Sequence, residues 1–392
     1  MRILIAAGGT AGHINPALAI AGYIKEHQSG VVIAFAGRKE GMEHELVTAQ
    51  GYPFYHIEVQ GVQRSFSPHN IARNMKAMWY LSSSGMKSRK ILSDFKPDLV
   101  IGTGGYVSGP ILLAAAKAGI RTAIHEQNAF PGVTNKILAK SVDLVFAAMP
   151  DAVSKLGVPH KTIVTGNPVR SEIVSQNREE ARRVLDIPPD KLVLLSFGGS
   201  LGARRINEVA ADLAQWHLAN RDFLHIHATG SYGVELFQTL CKEKKIFGNC
   251  NLRVNEYIKD MARCLAAADL VISRSGAITI SELAAAGRAS ILIPSPNVAE
   301  NHQYYNALEL SNAGAAVLIE EKDLSSDVLI ETVDRLTTDR ATLRNMGVAA
   351  KACAHLNSLD KIYVYLTRLM RGELDSIHEE TPKVSGNPEK LD

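Results

Sequence analysis

Three glycine-rich turns are the parts of this 392-residue chain whose residue types and spacing most directly suggest chemistry. They occupy residues 8–13, 102–109 and 198–202, and each follows a short apolar run that predicts a β-strand. Glycine lets backbone N–H groups approach a phosphate closely, and the dipole of the helix that follows adds attraction. Any one of these turns is equally consistent with a tight turn that binds nothing. Three in one chain favour phosphate binding.

The spacing within these turns narrows the choice of phosphate ligand. Gly8 and Gly9 do not give the dinucleotide pattern G-x-G-x-x-G, and the second predicted strand is followed by Gly37, Arg38 and Lys39 and has no acidic residue at its end. The sequence also contains no G-x-x-x-x-G-K-[ST] and no D-x-D. NAD enzymes, P-loop nucleotide hydrolases and sugar-nucleotide enzymes that use a carboxylate-held metal are therefore disfavoured. We expect helix N-termini and side chains to neutralise the phosphates without a metal.

Two titratable residues lie where ligands of open α/β sheets are held. His13 stands at the start of a predicted helix, at the carboxyl end of the first strand, where an imidazole can act as a general base. A capping or core histidine is the alternative. Glu282 falls one or two turns into the helix after Ser273, where a carboxylate can accept both ribose hydroxyls. A solvated helix glutamate is the alternative there.

The elements that position these residues follow from apolar runs separated by helical patterns, which predict parallel sheets covered on both faces. We therefore predict two doubly wound α/β domains that divide near residues 164–170, followed by a disordered tail over residues 372–392. The predicted strands are Arg2–Ala7, Val31–Ala36, Phe54–Ile57, Leu99–Gly102, Thr122–His125, Leu144–Ala147, Leu192–Phe197, Leu224–Ala228, Leu252–Asn255, Leu270–Ser273, Ser290–Pro294 and Ala316–Ile319.

Composition excludes several functions. A net charge of +3 is too weak to argue for nucleic acid. The four cysteines form no C-x-x-C pair, which indicates a reducing compartment. No apolar run is long enough to span a bilayer, so membrane contact is expected to be peripheral. Residues 64–91 combine basic residues with an apolar face at helical spacing, typical of an interfacial helix on anionic lipid or of an ordinary amphipathic helix. That apolar face consists of Ile71, Met75, Met78 and Trp79.

Six motifs occur in an order that resembles one family of enzymes. They are Gly8–Ala17, Gly104–Pro110, His125–Asn128, Gly166–Arg170, Gly198–Ala203 and Arg274–Glu282. The ordered set, over roughly residues 1 to 370, resembles the N-acetylglucosaminyltransferases of peptidoglycan synthesis. The resemblance implies a GT-B fold, with two Rossmann-like domains facing a cleft. It also implies inverting, metal-independent transfer from UDP-GlcNAc to the muramyl 4-hydroxyl of lipid I, giving lipid II and UDP, without any cofactor.

The resemblance also implies roles for individual residues. His13 is the expected catalytic base, and Gly104, Gly105 and Tyr106 form the expected acceptor-phosphate loop. Residues expected to bind UDP-GlcNAc are Thr10, Ala11, Gly12, Asn128, Arg170, Ser200, Ile258, Ala277, Ile278, Thr279, Ile280, Ser281, Glu282 and Gln303. The expected location is peripheral, on the cytoplasmic side of the cell membrane, with an anionic lipid surface and cell-wall synthesis proteins as partners and no nucleic acid.

The resemblance implies domain boundaries, and it leaves other functions open. It implies an acceptor and membrane domain over residues 1–166, joined by a C-terminal helix near 355–371, and a UDP-sugar domain over 167–354. Ala11 stands where the family usually has glycine, and His302 where it has glutamine. The alternatives are another GT-B enzyme, such as a glycolipid synthase or a UDP-GlcNAc 2-epimerase, and a nucleotide-sugar-binding protein without catalysis.

Overall fold

The computed structural model describes residues 1–59 and 84–380, which form two compact units. The first unit contains residues 1–168 and the chain from Asn357 onward, and the second contains residues 169–356. The chain therefore returns to its first unit after completing the second. The predicted membrane-facing residues Ile71, Met75, Met78 and Trp79 lie outside the described residues, so their helix stays a prediction.

Each unit contains one parallel β-sheet. The first sheet has the order β3-β2-β1-β4-β5-β6-β7, and the second has the order β10-β9-β8-β11-β12-β13. All the strand pairs described in both sheets are parallel. The strands are β1 Arg2–Ala7, β2 Val32–Gly37, β3 Phe54–His56, β4 Leu99–Gly104, β5 Arg121–Glu126, β6 Leu144–Ala147, β7 Thr162–Val164, β8 Leu192–Phe197, β9 Phe223–Ala228, β10 Leu252–Asn255, β11 Leu270–Ser273, β12 Ala289–Leu292 and β13 Ala316–Leu318.

Helices connect most consecutive strands, as parallel pairing requires. The described helices are α1 Ala11–His27, α2 Met42–Ala49, α3 (described over 84–95), α4 Ser108–Lys117, α5 Val133–Ala139, α6 Asp151–Leu156, α7 Ser171–Ser175, α8 Arg178–Val184, α9 Arg204–Asn220, α10 Val234–Glu243, α11 Met261–Ala267, α12 Ala277–Ala286, α13 His302–Asn312, α14 Ser326–Thr338, α15 Arg340–Ala352, α16 Ser358–Met370 and α17 Leu374–Glu380.

Alternate side chains of β1 point to opposite faces of the sheet and pack into two separate cores of the first unit. Ile3 and Ile5 of β1 pack into a cluster with α1 and α16, whereas Leu4 and Ala6 pack on the other face with α3, α4 and α5. Both faces of the sheet are thus buried, which explains why its strands appear in the sequence as nearly continuous apolar runs. The second sheet is covered in the same way, with α9 and α14 on one face and α8, α11 and α12 on the other.

Two sequence predictions need correction. Residues 374–380, assigned above to a disordered tail, form α17, and its Ile377 is fully buried against the core that contains α1 and α16. Two apolar residues, Leu374 and Ile377, in a polar segment were too weak a signal. The short edge strand β7 was also absent from the predicted strands, since three residues beside a glycine–proline segment give little periodicity.

Candidate functional site

In each sheet the order of strands reverses at one point, and glycine turns flank it. In the first unit, β1 and β4 are neighbours whose following helices, α1 and α4, pack on opposite faces of the sheet. In the second unit the corresponding strands are β8 and β11. Ligands of open α/β sheets bind in the crevice outside the carboxyl ends of strands at such a switch point. The turns after these four strands therefore mark one candidate site in each unit.

The two turns of the first unit pack directly against each other. Gly104 and Gly105 have φ values of +110° and +82°, a region that favours glycine. A Cβ atom on Gly105 would lie 2.2 Å from the carbonyl oxygen of Gly8, and one on Gly104 would lie 2.6 Å from Nδ1 of His13. Glycine is thus needed at both positions for the first turn and the His13 ring to occupy their places.

His13 lies in the first turn of α1 and contacts the end of β5. Its Nδ1 is 3.2 Å from Oε1 of Gln127, a residue 114 positions later. Its backbone carbonyl accepts a hydrogen bond of 2.7 Å from the Thr103 hydroxyl, which attaches the start of α1 to β4. His13 is half-buried, and no hydrogen bond to its Nε2 is found within residues 1–59 and 84–380. The ring is therefore held through one nitrogen, which leaves the other for a substrate.

A buried histidine lies behind this contact. Nε2 of His125 is 3.1 Å from the carbonyl oxygen of Gly166, and its Nδ1 is 3.2 Å from Nε2 of Gln127. Burial lowers the pKa of His125 to about 4, so the ring is neutral at physiological pH. His125 therefore provides a fixed, uncharged support for Gln127 and is not itself a candidate base.

Two buried carboxylates that the sequence analysis did not single out hold the loops of the first unit. Oε1 of Glu126 accepts from the backbone and side-chain amides of Asn128, and its other oxygen accepts from Gly132 N and Asn135 Nδ2. Glu43, fully buried, accepts from Gly9 N. Glu126 belongs to the motif His125–Asn128, which was a usable signal. Nothing local in the sequence marks Glu43.

The first turn places Thr10, Ala11 and Gly12 at its exposed side, with Thr10 preceding α1 and Ala11 as its first residue. Ala11 is not among the residues with positive φ. A methyl group at this position, where the family usually has glycine, therefore requires no unusual backbone dihedral. Tyr106, in the second turn, is 62% exposed and available to a ligand.

The second unit repeats the close approach of backbone at its own glycine turn. Gly202 has φ +87°, and a Cβ atom there would lie 2.2 Å from the carbonyl oxygen of Thr229. The carbonyl oxygen of Ser200 accepts from the amide of Ser231, so the turn after β8 is fastened to the segment after β9. Ser200 itself is half-buried at the tip of the turn.

An ion pair joins two predicted donor-binding residues of the second unit. Nε and Nη2 of Arg170 lie 3.1 and 2.9 Å from Oε1 of Glu282, although the residues are 112 positions apart. Burial raises the pKa of the Glu282 carboxyl, and the neighbouring guanidinium opposes that rise. The side chain of Arg170 remains 37% exposed, so it can contact a ligand while it holds Glu282 in place.

The remaining predicted donor residues divide between surface and core. Thr279 and Ser281 are half-buried on α12, whereas Ile280 is 1% exposed and packs in the core with Ile258. The side chain of Ile280 therefore anchors the helix to the core. Ala277 and Ile278 are also mostly buried, at the start of the same helix. The run thus covers more than one turn of α12 and includes Glu282, with part of it packed in the core.

Gln303 organises the loop that follows β12. Its Oε1 accepts from the amide of Ser295, and its backbone carbonyl accepts from the Ser275 hydroxyl at the turn after β11. Gln303 therefore lies beside the switch point of the second unit, together with Glu282 of α12. The contact with Ser295 uses the oxygen of the Gln303 side-chain amide and not its NH₂ group.

The described part of the chain lacks two further features, a cluster of metal-ligating side chains and a membrane-spanning helix. No group of three or more His, Cys, Asp or Glu side chains within residues 1–59 and 84–380 is arranged to hold a metal ion. No helix in the same residues is long and apolar enough to cross a membrane.

The two sheets and their glycine turns place the chain in the class of proteins built from two Rossmann-like domains. Models of the glycosyltransferase family 28 N-terminal and C-terminal domains match residues 3–147 and 193–361. The chain belongs to glycosyltransferase family 28.

Named relatives cover nearly the whole chain. A UDP-N-acetylglucosamine–N-acetylmuramyl-(pentapeptide) pyrophosphoryl-undecaprenol N-acetylglucosamine transferase from Acetivibrio thermocellus is 44% identical, over 95% of this chain and 99% of the relative. The protein of the same name from Desulforamulus reducens is 40% identical, over 94% of this chain and 99% of the relative. The crystal structure of Acinetobacter baumannii MurG matches with a TM-score of 0.71 and 29% identity, over 94% of this chain and 99% of that one. A UDP-GlcNAc 2-epimerase from Neisseria meningitidis shares the fold at 14% identity and a TM-score of 0.65, over 94% of this chain and 100% of that one.

Proposed function

We propose that this protein transfers N-acetylglucosamine from UDP-GlcNAc to the muramyl 4-hydroxyl of lipid I, giving lipid II and UDP. The observation that carries the proposal is the pairing of glycine turns at the switch point of each sheet, in a chain 44% identical to a relative named for this reaction. The second unit supplies the acidic ribose acceptor Glu282, and the first supplies the imidazole of His13. Peptidoglycan synthesis is the process that this activity serves.

The chemistry divides between a base and backbone donors. The 4-hydroxyl oxygen of the acceptor attacks the anomeric carbon, the bond from that carbon to the β-phosphate oxygen breaks, and the configuration inverts. Nε2 of His13 takes the hydroxyl proton. Negative charge develops on the β-phosphate of UDP, where backbone N–H groups at glycine turns and the Arg170 guanidinium stabilise it. The proposal needs no metal ion or other cofactor.

A groove in the first unit is consistent with a lipid-linked acceptor, because its lining suits contact with a lipid surface. Its volume is about 700 Å³, and α3, α4 and α5 form its walls. Leu113, Ile137 and Leu138 give it an apolar lining, while Arg89 and Lys117 add two cations. Apolar surface bordered by cations suits an anionic lipid surface. We propose peripheral docking on the cytoplasmic face of the cell membrane through this groove.

Membrane docking is tested by co-sedimentation with vesicles that contain anionic phospholipid. Ile137, which is 56% exposed, is changed to Asp, and the matched control is Val364→Asp on α16, which is 51% exposed in the same unit. We expect the first change alone to release the protein, because it places a charge on the apolar lining. Equal release by both variants contradicts docking through the groove.

The reaction is tested by transfer of labelled N-acetylglucosamine from UDP-GlcNAc to a short-chain lipid I analogue in the presence of a metal chelator. We expect transfer by the wild type and a loss of about 100- to 10,000-fold in His13→Ala, with UDP binding retained. Conversion of UDP-GlcNAc to its 2-epimer without an acceptor supports the epimerase alternative. Donor binding without any turnover supports a binding protein, and full activity of His13→Ala removes this residue from the mechanism.

A further inference from the structure

Gln127 is a buried side chain to which neither the sequence analysis nor the proposed mechanism assigns a role. It follows β5, is 1% exposed, and contacts groups from three parts of the first unit. Its Nε2 lies 2.7 Å from the carbonyl oxygen of Thr103 and 3.2 Å from Nδ1 of His125, and its Oε1 lies 3.2 Å from Nδ1 of His13. The side chain thus bridges the candidate base and the buried histidine.

The partners of Gln127 fix which end of its amide faces His13. A carbonyl oxygen accepts hydrogen bonds only, so the group 2.7 Å from Thr103 O must be the NH₂ group. The backbone carbonyl of His125, 3.2 Å from the same nitrogen, imposes the same choice. The amide oxygen consequently faces Nδ1 of His13. The opposite orientation would place oxygen against two carbonyl oxygens in a buried site, which is strongly unfavourable.

The amide orientation in turn fixes the protonation of both rings. Nε2 of His125 lies against the carbonyl oxygen of Gly166 and must donate, so its Nδ1 carries a lone pair that accepts from Gln127. An amide oxygen accepts only, so Nδ1 of His13 must carry the proton. In a neutral imidazole the other nitrogen then has the lone pair. Every donor in this series of hydrogen bonds meets an acceptor. The series therefore leaves the lone pair of His13 on Nε2.

We propose that Gln127 is the positioning residue that holds His13 in its Nδ1–H tautomer, so that Nε2 is the atom that receives the acceptor's proton. The inference rests on the proposed function for its catalytic consequence and on the contacts above for the tautomer. Gln127 itself touches no reacting atom. It orients the ring and stays hydrogen-bonded to Nδ1–H after Nε2 has become protonated, so proton uptake needs no rearrangement of the support.

The tautomer is measured directly by NMR of histidine ring nitrogens in protein labelled with ¹⁵N-histidine, at a pH where the ring is neutral. Signals of His13 are assigned by their absence in His13→Gln. We expect a protonated Nδ1 and an unprotonated Nε2 in the wild type, and a shift toward the Nε2–H form in Gln127→Met. A wild-type His13 with its proton on Nε2 overturns the proposal. This readout does not depend on activity, so it decides the tautomer even if the wild type transfers no sugar.

The catalytic consequence is measured by steady-state transfer. We expect Gln127→Met to lower kcat by about 10- to 100-fold, part of what a general base contributes, with KM for UDP-GlcNAc unchanged. The control Gln50→Met, at an exposed position of the same unit, is expected to keep wild-type kcat. Thermal unfolding of each variant reports whether it is folded.

A double variant separates positioning from general damage to the site. Residues that act as a unit are strongly non-additive, so adding Gln127→Met to His13→Ala should lower kcat no further. If the double variant instead loses the full additional factor seen for Gln127→Met alone, Gln127 does not act through His13 and the proposal is wrong. A wild type without transfer, by contrast, contradicts the proposed function and leaves the NMR result to decide the tautomer.

Discussion

Individual glycines in the first unit are required by contact as well as by conformation, and two of them provide a matched test. Gly105 and Gly51 have φ values of +82° and +76°, but a Cβ atom would collide with Gly8 O only at Gly105 and meets nothing within 4 Å at Gly51. We expect Gly51→Ala to lower the free energy of unfolding by about 1 kcal/mol, the cost of a left-handed residue. Gly105→Ala should cost about 1–3 kcal/mol more and reduce kcat/KM. Urea unfolding compares the two, and equal losses would mean that the turns separate easily.

Glu282 is the residue that we propose accepts the ribose hydroxyls of the donor, and its charge can be removed with little change of shape. Glu282→Gln keeps the shape but replaces a carboxylate that can accept two ribose hydroxyls, and it leaves Arg170 without its ion-pair partner. We expect UDP binding to weaken by about 1–3 kcal/mol, roughly 5- to 150-fold. Titration calorimetry with UDP in metal-free buffer measures this change. The control is Glu331→Gln at an exposed position of α14 in the same unit, and a dissociation constant unchanged in Glu282→Gln removes the carboxylate from donor binding.

At the scale of elements, local pattern predicted the strands but not all of the contacts between them. All twelve predicted strands exist within a few residues of their predicted bounds, because strands covered on both faces are apolar throughout. The turn glycines and Glu282 could also be identified from local pattern, because they follow the ends of those strands. The Gln127–His13 contact joins residues 114 positions apart, and the Arg170–Glu282 pair joins residues 112 apart. No spacing within one segment encodes such pairs.

Helix α16, which follows the second unit, shows how an element distant in sequence completes a core. Its Ile362, Leu366 and Leu369 are buried with α1 in the first unit, and the Tyr23 hydroxyl donates to Asp360. We expect Leu366→Ala to lower the free energy of unfolding by about 2–5 kcal/mol, whereas Val364→Ala, 51% exposed on the same helix, should change it by about 0.5 kcal/mol or less.

Hydrogen exchange shows which unit Leu366→Ala destabilises, since a two-unit protein need not unfold in a single step. In Leu366→Ala, amides of α1 and β1 should exchange faster than in the wild type, while amides of α9 in the second unit keep their protection. Loss of protection confined to α9 would contradict the assignment of α16 to the first unit.

For the whole molecule, the described part of the second unit buries three histidines and that of the first unit only His125, so the stability of the second unit should depend more strongly on acid. The second unit buries His217, His225 and His227 together, with the Ser196 hydroxyl between the last two. Burial lowers the pKa of His217 to about 4 and that of His227 to about 3, and it also lowers the pKa of His225. Because the unfolded chain binds these protons near pH 6.5, unfolding takes up protons below that pH, and stability falls as the pH falls.

His217→Phe tests this contribution with little structural cost, because both ring nitrogens of His217 are buried without a hydrogen-bond partner in the described protein, and the ring stacks on Phe223. At pH 8 all three rings are neutral in both states, so the variant's stability there reports packing alone. Between about pH 6 and pH 4 each such histidine destabilises by about 1.4 kcal/mol per pH unit. We therefore expect the pH slope of the free energy of unfolding of the second unit to be shallower by about that amount in the variant. Urea unfolding followed by hydrogen exchange in α9 measures it, and an unchanged slope would show that His217 takes up a proton in the folded state.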